Sequence, residues 1–242
     1  MTPQLGIGNS LSAEPVSTLI LRNTYSIDLD GTNDFILIPD SSVLRFNGAN
    51  VSFSYWVKID SLSGGDGKII AKAITPNDSS SAYQIRTDNA HLKFQFVSGT
   101  WREVVATNFF TDLSWVHVVV TMSDSNIVTI YKNGAEFVSA TDIGYAIPSN
   151  SGQLFIGCRG NQTNFLAGLM DELAIFDYVL SASQVSSIYN GGEPQSLASY
   201  NPVGWWRMGD NDGGTGSTIT DQGSGGNNGT LTNGPVFSTV TP

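Results

Sequence analysis

The sequence of 242 residues has little cysteine, little histidine and no long hydrophobic run. Cys158 is the single cysteine, which excludes an intrachain disulfide. No stretch is long and apolar enough to span a bilayer, and the first residues lack the basic segment and apolar run of a secretory signal. Neither a Gly-x-Ser-x-Gly elbow nor a zinc-ligand spacing occurs. These absences predict a protein that does not insert into membranes and works either in a reducing place or outside cells without disulfides.

Charged residues are also scarce, at 13% of the chain, and most of them are acidic. Lysine and arginine number 11 against 21 aspartates and glutamates, so the formal net charge is -10. Nucleic-acid binding needs clustered cations to neutralise phosphates, and this balance argues against such a partner. The acidity favours solubility and interaction with divalent cations.

The sequence does contain many short stretches of alternating apolar and polar residues, separated by turn residues. The predicted strands cover residues 25–29, 35–39, 51–58, 68–73, 83–86, 91–97, 101–107, 116–122, 127–132, 136–139, 153–158 and 165–176. Asn133-Gly134 is a strong hairpin signal. A helical pattern appears at residues 181–189, where Ser181 and Gln184 predict a capping box. Many strands and one short helix after the last of them predict an all-β protein, an antiparallel β-sandwich of jelly-roll type.

Five segments resemble, in family order, the motifs of laminin-G-like jelly rolls. They are 25–36, 51–58, 115–121, 130–134 and 168–181, which read YSIDLDGTNDFI, VSFSYWVK, WVHVVVT, IYKNG and GLMDELAIFDYVLS. That family is related in architecture to pentraxins and to concanavalin A-like lectins and glucanases. The resemblance implies a concanavalin A-like sandwich whose opening strand lies near residue 25 and whose closing strand is the last of these segments. Within that strand, period-two alternation puts Leu169, Leu173 and Ile175 on one face, which Asp171 interrupts.

The flanks divide the chain into three predicted parts: an N-terminal arm at 1–23, the sandwich at 24–192, and a C-terminal segment at 193–242. The arm is either a frayed terminus or a docking strand. The C-terminal segment resembles the lead-in that precedes the first strand of many laminin-G-like domains. It either completes its own sandwich by permutation, pairs with a neighbouring chain, or is a linker. Trp205 and Trp206 argue against a linker, because two adjacent tryptophans are costly to leave in water.

A calcium site is predicted from one acidic loop and one acidic strand position. Asp30, Asn33 and Asp34 offer oxygen ligands, and calcium takes six to eight oxygens. Asp171 is an acid on an otherwise apolar strand face, which is costly unless it is paired or bound to metal. Members of the family often hold one calcium between such a loop and the closing strand, so the resemblance implies one structural calcium ion. The alternative is a simple turn at Asp30, with Asp171 accepting backbone hydrogen bonds.

For a ligand site, Trp101 with Arg102, and also Tyr145, lie near predicted loops and could form an aromatic platform for a sugar. Each of these aromatics could equally belong to the core. Catalysis is not expected. His91 and His117 lie inside predicted strands, and Cys158 is predicted to be a packed thiol. The paired carboxylates of related glucanases have no counterpart, because the adjacent Asp171 and Glu172 should point to opposite faces of a strand.

We therefore expect a non-enzymatic binding or structural protein. The first hypothesis is a bacteriophage virion surface protein, a capsid decoration or fibre-like component with a lectin-like domain. Its partners would be other virion proteins or copies of itself, in a homo-oligomer or larger assembly, and cell-surface glycans. The alternative is an extracellular carbohydrate-binding module of a bacterium, and the third possibility is a glycoside hydrolase of concanavalin A-like fold.

Overall fold

A computed structural model describes residues 22–48, 50–74, 81–140 and 146–242 of the chain. Most of the predicted N-terminal arm, up to residue 21, therefore lies outside the described residues. The strands are β1 Ser26–Asp30, β2 Phe35–Ile38, β3 Val51–Ile59, β4 Lys68–Ala73, β5 Tyr83–Asp88, β6 His91–Ser98, β7 Thr100–Ala106, β8 Val116–Met122, β9 Val128–Lys132, β10 Ala135–Ala140, β11 Gln153–Ile156, β12 Ala167–Phe176, β13 Gly204–Trp206, β14 Thr218–Ile219, β15 Gly229–Thr232 and β16 Val236–Ser238. The α-helix, α1, spans Ala182–Tyr189.

These strands form two antiparallel sheets that pack face to face, which confirms the predicted sandwich. The first sheet has the order β10-β9-β8-β3-β12-β1-β16, and β13 pairs with β12 beside it. The second sheet has the order β14-β15-β2-β11-β4-β5-β6-β7. Along β3, Val51, Phe53, Tyr55 and Val57 all face the core, as the alternation predicts. Phe53 meets Phe94 of the opposite sheet with ring centroids 6.2 Å apart, so the core is filled by side chains from both layers.

The closing strand β12 differs from the prediction at its centre. Its register with β3 shifts between Asp171 and Ala174, and Glu172 has a φ of 48°. A bulge of this kind inserts an extra residue and breaks the alternation of faces. Leu173 and Ile175 face the core, but before the bulge it is Met170 that does so, and not Leu169. The expectation that Leu169 shares a face with Leu173 was therefore wrong.

The helix α1 covers the outer face of the first sheet. Ser181 and Gln184 form the predicted capping box, with the Ser181 side chain accepting from the backbone of Gln184. Val185 and Ile188 are buried against outward-facing residues of the sheet such as Phe176. Within the described ranges no helix is long and apolar enough to cross a membrane.

The C-terminal segment contributes strands to both sheets of its own chain. In the first sheet β13 pairs with the second half of β12, next to the place where β1 pairs with the first half. At the edge of that sheet β16 pairs with β1. In the second sheet β15 pairs with β2, and β14 pairs with β15. Trp206 is fully buried in the core between the sheets, whereas Trp205 packs in the cluster under α1.

Candidate functional site

The outer face of the second sheet carries an open polar groove of about 170 Å³. Its lining residues come from strands β4 to β7, from the turn before β4 and from the β11–β12 connection. They are Asp66, Lys68, Gln84, Arg86, Gln95, Trp101 and Arg159. We call this site the polar groove. The Trp101 ring, 41% exposed, stands on the edge strand β7 at one side of the groove.

Strict alternation along three neighbouring strands creates this face. Ile85, Phe94 and Val104 point into the core, so the residues beside them in sequence point outward. The strand register then places Gln84, Gln95 and Glu103 in one row across the sheet. Trp101 lies two positions before Glu103 on β7, and therefore on the same outer face. An aromatic ring and a row of polar side chains thus come together from separate strands.

A chain of hydrogen bonds and ion pairs crosses the groove. The Asp66 carboxylate lies 3.2 Å from Arg86 Nη1 and also accepts a hydrogen bond from Asn164 Nδ2 at 3.3 Å. Arg86 Nε donates to Gln95 Oε1 at 2.8 Å, and Gln95 Nε2 donates to Glu103 Oε2 at 2.7 Å. Because each member is held by the next, these planar polar groups are fixed before any ligand arrives.

Two lysines, one lining the groove and one next to it, lie beside carboxylates. Lys68 Nζ is 2.9 Å from Asp66, and Lys93 Nζ is 2.8 Å from Asp88. Burial lowers the pKa of Lys68 to about 8, although Asp66 opposes that shift. The hydrogen bond from Lys93 holds the pKa of Asp88 below its ordinary value. At neutral pH the groove therefore presents a set of paired charges, and Asp88 is not suited to donate a proton.

The structure separates the residues predicted for a sugar platform. Trp101 is exposed on the groove side of β7, as its candidate role requires. Arg102 is paired with Phe96, a core residue, and so lies on the opposite face of the same strand. The two side chains therefore cannot act on one ligand together. Tyr145 lies outside the described residues. Arg86, Gln95 and Glu103 take the place beside Trp101 that the sequence had suggested for Arg102.

The residues predicted for calcium also do not form a single site. Asp30 Oδ1 accepts backbone hydrogen bonds from Thr32 and Asn33 at 2.7 and 3.1 Å, an arrangement that makes a tight turn and lowers the pKa of Asp30. Burial raises the pKa of Asp34. Asp30 is paired with Ala167, so Asp171 lies four positions further along β12, about 13 Å away. No cluster of three acidic, histidine or cysteine side chains able to hold a metal occurs in the described ranges.

The predicted site joined Asp171 to the loop, so the structure leaves binding by the loop alone, and a melting experiment tests it. If Asp30, Asn33 and Asp34 bind the ion, EDTA should lower the melting temperature and excess calcium should restore it, because a ligand of the folded state stabilises that state. At 100 times its Kd the ion would add about 2.7 kcal/mol. Asp34→Asn should abolish the response, whereas Asp171→Asn should leave it intact. A melting temperature that ignores EDTA rules out the site.

Asp171 and Glu172 instead belong to a second polar site, which is buried. We call Asp171, Glu172, Arg207 and Asp210 the buried carboxylate cluster. Glu172 accepts hydrogen bonds from Trp205 Nε1 at 2.6 Å and from Arg207 Nε at 2.9 Å. Arg207 Nη2 lies 3.0 Å from Asp210. The cluster sits where β1 and β13 meet along β12, and it joins the bulge to the C-terminal segment.

Burial governs the titration of this cluster. It raises the pKa of Asp171 well above its ordinary range, and the neighbouring charge of Glu172 raises it further. Burial also raises the pKa of Glu172, against the opposing effect of Arg207. Both side chains are almost fully buried, so a substrate cannot reach them. The role of the pair is therefore structural, since Glu172 holds the bulge of β12 to the C-terminal segment. This position explains why an acid interrupts the apolar pattern of β12.

His117 is buried beneath α1. Its ring contacts those of Trp56 and Tyr189, with centroids 5.0 and 6.0 Å away, and those two rings are 5.8 Å from each other. His117 Nε2 is 2.9 Å from Ser54 Oγ. Burial lowers the pKa of His117 to about 3, so the ring is neutral at ordinary pH. The predicted packed thiol, Cys158, is likewise buried, beside Phe155.

Solved structures share this architecture. A protein from Bacteroides ovatus superimposes with a TM-score of 0.67 at 18% identity, over 91% of this chain and 61% of that one. Carbohydrate binding is a provisional assignment for that protein. The fourth domain of an extracellular arabinanase from Geobacillus stearothermophilus, solved with arabinotriose, has a TM-score of 0.53 at 23% identity, over 68% of this chain and 76% of that one. A heptameric pentraxin from Limulus polyphemus has a TM-score of 0.54 at 17% identity, over 72% of this chain and 86% of that one. At these identities the likeness concerns the fold.

Sequence comparison finds a curated relative and a family. Adhesion G-protein coupled receptor V1 of Danio rerio is 23% identical over 168 residues, which is 65% of this chain and 3% of the receptor. The chain thus spans a small fraction of that relative. Residues 30–186, more than half of the chain, match the family model described as the concanavalin A-like lectin/glucanases superfamily. As the laminin-G-like motifs predict, the chain belongs to this superfamily.

Proposed function

We propose that this protein is a non-catalytic glycan-binding domain and that the polar groove is its binding site. The observation that carries the proposal is the exposed Trp101 ring beside the fixed row of Gln84, Gln95 and Glu103. A sugar has apolar C–H faces and hydroxyl edges. An aromatic ring suits the first, and planar side chains with fixed hydrogen-bonding atoms suit the second.

The fold supports the same assignment. The arabinanase domain named above was solved with arabinotriose, so this type of sandwich is compatible with binding an oligosaccharide. A glycosidase would need an accessible pair of carboxylic groups, one of which stays protonated. Asp88 is held in its charged form by Lys93, and Asp171 and Glu172 are inaccessible. Asp66 is ion-paired with Lys68 and Arg86, which leaves Glu103 without a second unpaired carboxylic group beside it among the described residues. These features favour binding without hydrolysis.

We further propose that the domain works on the surface of a bacteriophage virion, where it adheres to host glycans alongside other virion proteins or copies of itself. Two features of the sequence agree with this. The acidic net charge disfavours nucleic acid as a partner, and the single cysteine allows no intrachain disulfide. The alternative is a module of an extracellular bacterial protein. Neighbouring genes decide between the two: capsid or tail genes support the first, and a polysaccharide-degradation locus supports the second.

The binding proposal predicts that Trp101→Ala weakens glycan binding by about tenfold or more. Losing the surface that a large aromatic buries costs about 1.5–3 kcal/mol, and 1.4 kcal/mol is tenfold in affinity. Screening the protein on a glycan array, then titrating the best oligosaccharide by calorimetry, measures the effect.

Phe137→Ala is the matched control. Phe137 has the same exposure as Trp101, 41%, but lies on β10, the edge strand of the other sheet. This variant should keep the affinity of the parent protein, and both variants should keep their folded signal in circular dichroism. Equal binding by the Trp101 variant and the parent would place the glycan site elsewhere or remove it.

A further inference from the structure

The geometry points to a neutral glycan as the ligand of the polar groove, bound through one hydroxyl that donates to Glu103 and one oxygen that accepts from Arg86. This inference rests on the proposed function and adds the chemical class of the ligand. Two observations carry it. Glu103 Oε1 and Arg86 Nη2, on either side of Gln95, have unused hydrogen-bonding capacity, and the cations around them are already paired with carboxylates.

Glu103 supplies the acceptor. One of its carboxylate oxygens, Oε2, is occupied by Gln95 Nε2 at 2.7 Å. Among the described residues no atom donates a hydrogen bond to the other oxygen, Oε1, and the side chain is 43% exposed. Since Trp101 lies two positions earlier on the same face, a sugar stacked on that ring has a carboxylate next to its hydroxyl edge. Hydrogen bonds to a charged acceptor are the stronger kind.

Arg86 supplies the donor. Its Nε is bonded to Gln95 at 2.8 Å, and its Nη1 lies 3.2 Å from Asp66 and 3.6 Å from Asp88. These partners fix the plane of the guanidinium group. Within the described part of the chain no partner is found for Nη2, which leaves two N–H groups for a ligand oxygen. The donor and the acceptor are thus both rigid before binding, which lowers the entropy that a ligand must give up.

The charges of the groove select against an anionic glycan. Lys68, Arg86 and Lys93 each lie within 4 Å of a carboxylate, which offsets their charges. Arg159, the other cation that lines the groove, is not free of partners either. On the groove face of β7, the charged group nearest to Trp101 is Glu103. Its closest cation, Lys93, is 4.0 Å away and lies nearer to Asp88, at 2.8 Å. A sialic acid, uronic acid or sulfate group at this position would meet like charge, which costs free energy and gives no new hydrogen bond to Oε1.

Matched pairs of sugars test the inference on the full chain. Lactose and sialyllactose form one pair, and laminaritriose and its sulfated form another, with arabinotriose as a third neutral probe. We expect the neutral member of each pair to bind more tightly, by about tenfold, with little dependence on salt, because screening acts on charged partners. Glu103→Gln should weaken binding of the neutral sugars by about tenfold and narrow the difference within each pair.

Controls separate this inference from the proposed function. Glu136→Gln, an exposed acid on β10 of the other sheet, should change nothing, and Arg86→Lys should weaken neutral binding because lysine lacks the planar fork. Equal or tighter binding of the anionic sugars, still lost in Trp101→Ala, would overturn the neutral class and leave glycan binding standing. If no sugar of either kind binds and Trp101→Ala behaves as the parent, both proposals fail.

Discussion

A chain that ends at Leu197 is expected to lose most of its native structure. The truncation removes β13 to β16, leaving half of one edge of β12 unpaired and exposing β2. It also removes Trp206, which is fully buried. Truncating a buried tryptophan to alanine alone costs about 3–5 kcal/mol. Whole domains are stable by about 5–15 kcal/mol, so losing this residue with its entire segment should leave little or no folded protein.

Circular dichroism and size-exclusion chromatography at two protein concentrations measure the effect. Loss of structure at both concentrations is the expected result, since the strands of the segment pair within their own chain. Loss of an oligomer alone would mean that the segment is exchanged between chains in solution. A truncated chain that melts like the parent, with a tail that protease removes at once from the intact protein, would make the segment a linker. Trp206→Ala should show an intermediate loss.

Arg207→Met is expected to destabilise the protein by about 3–5 kcal/mol, the usual cost of removing one partner of a buried ion pair. The guanidinium group of Arg207 is the one cation of the buried carboxylate cluster, where it contacts Glu172 at 2.9 Å and Asp210 at 3.0 Å. Without it both carboxylates stay buried with no opposite charge. Urea unfolding followed by circular dichroism measures the difference.

Two variants make the comparison specific. Arg45→Met removes a cation that is 38% exposed and bonded to Asp40, and a surface pair of this kind contributes about 0–1 kcal/mol. The double variant Arg207→Met with Glu172→Gln should recover part of the loss, because the uncompensated charge is gone. Equal losses in the Arg45 and Arg207 variants would show that the cluster adds no more than a surface pair.

The same cluster predicts the dependence of stability on pH. Asp171, Glu172 and Asp210 all have a raised pKa, chiefly from burial. The folded chain therefore binds these protons more tightly than the unfolded chain, and their contribution is complete below the ordinary carboxyl pKa of about 4. It is lost as the pH rises through the raised values. In Arg207→Met the deficit should be largest at neutral pH and should shrink as the pH falls toward about 4.

Local pattern was sufficient to predict most strands and the helix. Asn133-Gly134 joins β9 to β10 with both residues at positive φ, as the hairpin signal requires. Ser181 and Gln184 begin α1 as predicted. Such features depend on neighbours in sequence. At the bulge, Glu172 is hydrogen-bonded to Arg207, which is remote in sequence, and alternation within β12 alone gives no sign of the bulge.

The groove could be predicted only in part for a similar reason. Its position near a predicted loop made Trp101 a candidate, but the sequence did not distinguish it from Tyr145 or from an aromatic of the core. Arg86, Gln95 and Glu103 lie on three strands, and only the register between those strands aligns them. Alternation within each strand predicts that each side chain points outward. It does not predict which strands are neighbours or in what register they pair. The pairing of Trp101 with Arg102 failed because neighbours in a strand point to opposite sides.

The pairing of β1 with β16 also determines how the domain would respond to tension. The two strands are antiparallel, with Ser26 opposite Ser238, and Arg22 and Pro242 line a single cleft at one end of the sandwich. Pulling these two positions apart would load the hydrogen bonds between β1 and β16 one after another, in the unzipping geometry and not in shear. On the side of Arg22, the first bonds to break would be those from Arg207 Nη2 to the Arg22 carbonyl and from Asn23 Nδ2 to Asp171, followed by those from the backbone of Thr24 and Tyr25 to Asp210. A force applied between Arg22 and Pro242 would therefore unfold the domain at low force. A domain attached through only one of these positions would bear no tension across the β1–β16 pair.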